Sequence, residues 1–152
     1  MKKIMLVSLI LTLVGVYTCE EPVEPVKVEF RFAEEEHADG LIPYTLPQTN
    51  KVFFLDPKVE MSNADIDSAV LDVLQDKTMV RLIFSDAGRD KFAQLTAEHL
   101  SERLAMLVNG NMVSAPIIRA PITQGMALID GGYTREQAER IVAGINQAVK
   151  GD

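Results

Sequence analysis

Glu34, Glu35, Glu36, His37 and Asp39 crowd one short segment, and oxygen-rich clusters of this kind can hold a hard cation. The spacing is not that of an EF-hand loop, so the expectation here is a solvated acidic loop. His99 would need a second His or Cys at ligand spacing to bind zinc, and the sequence offers none. Ser114, His99 and Asp130 are the residue types of an acyl-transfer triad. Ser114 is not set in a nucleophile elbow, and its surroundings read as a hairpin instead. Gly131-Gly132 reads as the end of a strand, because neither a phosphate-binding loop nor a dinucleotide fingerprint surrounds it. No catalytic, cofactor or metal site is expected. The remaining reactive side chain is Cys19, the single cysteine, which excludes an intrachain disulfide.

Composition points away from several binding classes as well. The chain has 152 residues and a formal net charge of −7, with 47% apolar residues and no Trp. Its length suits one domain, and its apolar content suffices for a core. An acidic chain without clustered Lys and Arg is not expected to bind nucleic acid.

Cys19 gains meaning from what precedes it. Lys2 and Lys3 lead into an apolar run from Ile4 to Val16, the pattern of a secretory signal. That run is short of the roughly 20 apolar residues that span a bilayer. Val16-Tyr17-Thr18-Cys19 looks like a relaxed lipobox, with Thr18 where a smaller residue is usual. The expectation is a signal peptide over 1–18 and an acylated N-terminus at Cys19. An acidic, Pro-rich tether would then run to residue 25 and a domain would occupy 26–152. Removing 1–18 would take two lysines and no acid, moving the charge from −7 to −9. Such a body is repelled by anionic lipid, so the lipid anchor would have to hold it at a membrane.

Within the domain, Val26 to Phe32 alternates, with Val26, Val28, Phe30 and Phe32 on one face, as in a half-buried strand. Residues 33–50 read as a long loop. Short strands follow at Val52–Leu55, Val70–Leu74 and Met79–Phe84, with a turn or single helical turn at 62–65. Ser85 caps a helix expected to run to about Arg103, with Phe92, Leu95, Thr96 and Leu100 facing a sheet. Leu104–Val108 and Met112–Ile118 flank Asn109-Gly110, the dipeptide suited to a two-residue hairpin. Met126–Ile129 is a last strand. Thr134 and Gln137 form a capping box before a helix striped by Ala138, Ile141, Val142, Ile145 and Val149. The order implies an α+β fold, a mainly antiparallel sheet with two helices on one face, ferredoxin-like in character.

Several motifs in this order are specific. Phe84-Ser85-Asp86-Ala87-Gly88 leads into Phe92-Ala93-Gln94-Leu95-Thr96. Arg103 to Gly110, Val113 to Ile118, Ile122 to Ile129 and Gly131-Gly132-Tyr133-Thr134 follow. This series resembles the head subdomain of the large periplasmic domain of SecD, from about Val52 to Val149. Glu29 to Glu36, with Asp39-Gly40-Leu41, is similar to that family's approach to the head. SecD itself carries membrane helices and an intramembrane carboxylate used in proton coupling. This chain shows no spanning run after residue 19, so the resemblance implies the contact with exported chains and not the motor.

Two functions follow from this reading. The first is a non-catalytic envelope lipoprotein, facing the periplasm, that binds exported or unfolded polypeptide or translocon components. An exposed strand edge would accept the extended chain, unless the 33–50 loop covers that edge. The second is a structural or partner-docking lipoprotein that reuses the fold without an export role.

Overall fold

A computed structural model describes residues 22–151, so the leader and Cys19 lie outside the described residues. The strands are β1 (Val28–Glu34), β2 (Ile42–Leu46), β3 (Lys51–Leu55), β4 (Met61–Ser62), β5 (Ile66–Leu74), β6 (Lys77–Phe84), β7 (Arg103–Val108), β8 (Asn111–Ser114) and β9 (Met126–Ile129). A 3-10 turn spans Asn63–Asp65, and the helices are α1 (Asp86–Glu98) and α2 (Arg135–Lys150). The class is α+β, as expected, and every strand pair is antiparallel.

The strands form two sheets rather than the one expected. The larger runs β2-β3-β1-β7-β8 with β4 also on β1, and the smaller runs β5-β6-β9. Alternation cannot reveal this division, because it marks a buried face without saying which strand lies alongside. The larger sheet is covered on both sides. On one side Val28, Phe30, Leu104 and Met106 meet the small sheet and both helices, through Leu82, Phe84, Phe92 and Ile145. Phe30, Phe84 and Phe92 form a ring trio with centroids 4.8 to 6.0 Å apart, an arrangement that adds about 0.5–1.5 kcal/mol per pair to their burial. On the other side Phe53, Leu55, Ala105, Leu107 and Met112 make a second, smaller core. There β2 comes back beside β8, and Gln48 Nε2 donates to Val113 O at 3.2 Å.

Local chemistry sets the ends of the elements. Ser85 Oγ accepts from the Gly88 N–H at 3.1 Å and starts α1. Gly88 is needed because a Cβ there would lie 2.0 Å from the Asp65 carbonyl oxygen. Thr134 and Gln137 exchange both capping-box bonds at the start of α2. Asn109 and Gly110 both adopt positive φ, 48° and 77°, between β7 and β8.

Other expectations need correction. The 33–50 segment is not all loop: β2 lies within it and pairs with β3 along its full length. Two prolines and a glycine nearby hide so short a strand. Helix α1 stops at Glu98, because Ser101 turns to φ 70° and leaves Leu100 half exposed. The strand after the hairpin is regular only to Ser114, followed by one bridge from Ile117 to Arg103. The polar side of β1 is not open to solvent, for Glu29 is buried. Lys27 and Arg31 bind its carboxylate at 2.7 and 3.3 Å. Burial works to raise the Glu29 carboxyl, but those hydrogen bonds and charges outweigh it and hold the group below its usual range.

Val26, expected as the first residue of the strand, docks on α2 ahead of β1 instead. Val26 is buried, and its N–H donates to Gly144 O of α2 at 3.0 Å. A Cβ on Gly144 would lie 2.4 Å from Val26 Cγ2 and 2.6 Å from Glu24 O, so only glycine admits this crossing.

Candidate functional site

None of the chemistry-bearing clusters assembles. Glu35 turns to Lys51, at 2.7 Å, and to Arg103. Those two cations hold its carboxyl below the usual range. His37 packs edge-on against Phe54, with centroids 5.3 Å apart. His99 Nδ1 lies 3.1 Å from Glu102 Oε2, and its ring sits against Phe32. Asp130 faces Lys77 and the Gly132 N–H. Ser114 Oγ is buried, with no partner among the described residues. The three triad candidates therefore look to three different places. Gly131 is held under the Tyr133 ring, whose hydroxyl burial pushes upward in pKa.

What remains is the backbone, and side chains close several of its free hydrogen-bonding groups. Asn63 Oδ1 accepts from the Val28 N–H at 2.8 Å while its Nδ2 donates to Val26 O at 2.9 Å. Asn109 Oδ1 accepts from the Lys27 N–H at 2.8 Å. On the small sheet, β5 is an edge strand, and Ala69 there points its N–H and C=O outward. Asn146 of α2 takes both, at 2.8 and 2.9 Å, standing in for a neighbouring strand. In the larger sheet, the edge strands β2 and β8 lie beside one another.

β9, at the other edge of the small sheet, is open too. Phe84 N–H donates to Gly125 O, which makes the neighbouring pair Leu82–Ala127 a hydrogen-bonded one. By alternation, Ala127 and Ile129 bond to β6, and Met126 and Leu128 direct their N–H and C=O groups away from it. No partner for these outward groups exists among the described residues. Beside this edge runs a groove of about 490 Å³, bounded by Phe92 and Thr96 of α1, by Leu104 and Met106 of β7, and by residues 116–120. The far wall is also a backbone edge. Leu104 N–H donates to Pro116 O and Ile118 N–H to Glu102 O, so Ile117 points its own N–H and C=O away from β7. The groove is mainly apolar, and the one charged side chain lining it is Arg119, which makes no ion pair among the described residues. The arrangement can take an extended peptide as an added strand, with apolar contacts on either side. A larger cleft of about 740 Å³ lies where Pro22–Val26 crosses α2, and it offers no open strand edge.

Sequence reasoning anticipated an edge without locating it. Its suspected cover, the 33–50 segment, belongs to the other sheet through β2. Asn146 carries no sequence signal for its role, since a lone Asn on a helix gives no sign of what its amide will meet.

A family model described as "SecDF, P1 head subdomain" matches residues 40–148. The Protein translocase subunit SecD of Magnetococcus marinus is 45% identical over 60 residues, 40% of this chain and 11% of that protein. The SecD of Petrotoga mobilis is 33% identical over 90 residues, 58% of this chain and 19% of that protein. The chain thus spans between a tenth and a fifth of these relatives. A crystal structure of SecDF in a super-membrane-facing form superposes with TM-score 0.68 at 26% identity, over 82% of this chain and 19% of that one. Another SecDF structure, described as that of a membrane component that enhances protein export, gives 0.67 at 24% identity, over 82% and 63%. That second likeness speaks for the fold alone.

Proposed function

Because this chain belongs to the SecDF P1 head subdomain family, we propose that it is a non-catalytic accessory to protein export that binds extended, unfolded polypeptide along β9. The observation that carries the reading is an open strand edge lying beside an apolar groove. Asn63, Asn109 and Asn146 occupy backbone groups elsewhere, and β9 keeps Met126 and Leu128 open beside an apolar groove. Backbone pairing places little demand on client sequence, which suits a protein meeting many clients. Affinity is weak, because ordering an extended chain costs entropy and no tailored pocket offsets it.

In this reading the domain stands at the bacterial cell envelope, faces the periplasm and is held by lipid at Cys19. No described helix is long and apolar enough to cross a membrane. Acyl labelling tests the anchor: Cys19→Ser should abolish label and membrane retention, and an unlabelled wild type would remove the lipid from the proposal.

The client test is a titration of a reduced, unfolded polypeptide followed by fluorescence anisotropy, with its folded form as control. Binding in the roughly 10–100 µM range is expected without nucleotide or metal, and Leu128→Pro, which removes one outward N–H, should weaken it about tenfold. Equal binding to the folded control, or no effect of the proline, would refute pairing at β9. In that case the docking-lipoprotein reading takes its place.

A further inference from the structure

Both walls of the β9 groove carry open backbone, and the chain joins them without letting them pair. Residues 116–118 run along β7, residues 119–125 connect, and β9 follows. The connection is tied down elsewhere. Ile122 N–H donates to Thr96 Oγ1 of α1 at 2.9 Å, and Gly125 O accepts from Phe84 N–H at 3.0 Å. Thr96 is itself fixed, for it is buried and its hydroxyl donates to Phe92 O at 2.8 Å. Held in this way, the two segments stand on either side of the groove, and no backbone bond runs between them among the described residues. Ile117 turns its N–H and C=O away from β7, and Met126 and Leu128 turn theirs away from β6. Both sets border the same space.

We propose that a bound client lies between these two walls and bonds to both, as an inserted strand and not as an added edge. The proposal rests on the function proposed above and specifies how the client is held. Successive residues of an extended chain direct their N–H and C=O groups to opposite sides, so one set meets β9 and the alternate set meets Ile117. The client then makes β5-β6-β9 continuous with β7 and β1 of the larger sheet. Its inward side chains meet Phe92, Leu104 and Met106, and its outward ones face solvent. The β5 edge offers no such slot, because Asn146 of α2 stands beside it. A residue within a sheet takes up roughly 160 Å³, from about 3.3 Å along the strand, 4.8 Å between strands and 10 Å between layers. The groove of about 490 Å³ therefore holds about three client residues. Recognition by so short an element selects extended backbone and inward apolar side chains, and leaves the rest of the client free.

The probe is a synthetic peptide, acetyl-Glu-Val-Thr-Val-Thr-Val-Glu with fluorescein at its C-terminal end. It is titrated with the full chain in mild detergent and read by fluorescence anisotropy. Each central amide is replaced in turn by an ester, which deletes one N–H without adding bulk. A strand bonded on both sides should lose affinity at least about threefold at each of three consecutive positions. Losses at alternate positions alone would overturn the insertion and leave pairing with β9 in place. No binding, or binding indifferent to every ester, would overturn both. On the protein side, Ile117→Pro deletes the outward N–H of the far wall and should weaken the peptide about tenfold, as Leu128→Pro does at β9. A variant that circular dichroism shows to be folded and that binds as wild type also refutes the insertion. Should Ile117→Pro unfold, the ester series on the wild-type chain decides by itself.

Discussion

β1 and β9 are both short, apolar strands, and the fold treats them in opposite ways. β1 is bonded on both edges, by β7 on one side and by β3 and β4 on the other. Asn63 and Asn109 close the backbone groups at its start, and it is covered on both faces, Glu29 included. β9 is bonded on one edge and presents Met126 and Leu128 to solvent. An open edge on a small domain invites aggregation, and on the other edge of the small sheet Asn146 closes one residue, Ala69. The difference teaches that the fold closes its central strand completely and leaves backbone groups free at its edges.

The comparison can be broken most directly at the core. Phe30→Ala on β1 should cost about 3–5 kcal/mol, because it removes a fully buried ring from the trio with Phe84 and Phe92. Leu128→Ala on β9 should cost well under about 1 kcal/mol. Urea denaturation measures both, and similar costs would dissolve the contrast. Next in size is the strap. Gly144→Ala drives a Cβ into Val26 and Glu24 O and should destabilise by about 1–3 kcal/mol. A neutral result would show that the segment before β1 is merely tethered.

Asn146→Ala frees Ala69 and lengthens the open stretch of the β5 edge. Leaving the Ala69 N–H and C=O without partners should cost about 1–2 kcal/mol. If β5 then gained client binding, the open edge itself would be the recognition element; if not, the groove beside β9 is required as well. Acid probes β1 through Glu29. Its carboxyl sits below its unfolded value, so its contribution to stability is complete above about pH 4.5 and fades as pH falls through the folded value. In Glu29→Gln, melting temperature should fall less steeply between about pH 5 and 3 than in wild type; an unchanged slope would mean the Lys27 and Arg31 contacts contribute nothing. Leu128→Pro should also leave stability within about 1 kcal/mol, because the lost N–H points to solvent.

Elements governed by neighbours in sequence were legible. Ser85, Thr134 with Gln137, and Asn109-Gly110 announced their caps and hairpin because each motif completes its own hydrogen bonds within a few residues. Met126–Ile129 and the α2 stripe were legible for a similar reason, their apolar spacing. The division into two sheets was not, since β1 pairs with β7 across most of the domain. β2 was hidden by Pro43 and Pro47, which read as loop although an edge strand tolerates them. The candidate site was half legible. Polypeptide contact at an edge followed from the family resemblance, but which edge has an apolar groove beside it depends on where α1 and residues 116–120 pack, which has no local signature.

The seating of Val26 on Gly144 has a mechanical consequence. A chain held at its N-terminus is loaded there, and the load enters the domain through Val26 and runs along β1. Beyond Val26, the strand meets β7 over six paired residues and β3 and β4 on its other side. A pull along the strand axis must shear those bonds together, whereas a pull across an edge strand opens them one at a time. Were the chain attached through residues ahead of Val26, the load would thus fall on the most fully paired strand of the domain.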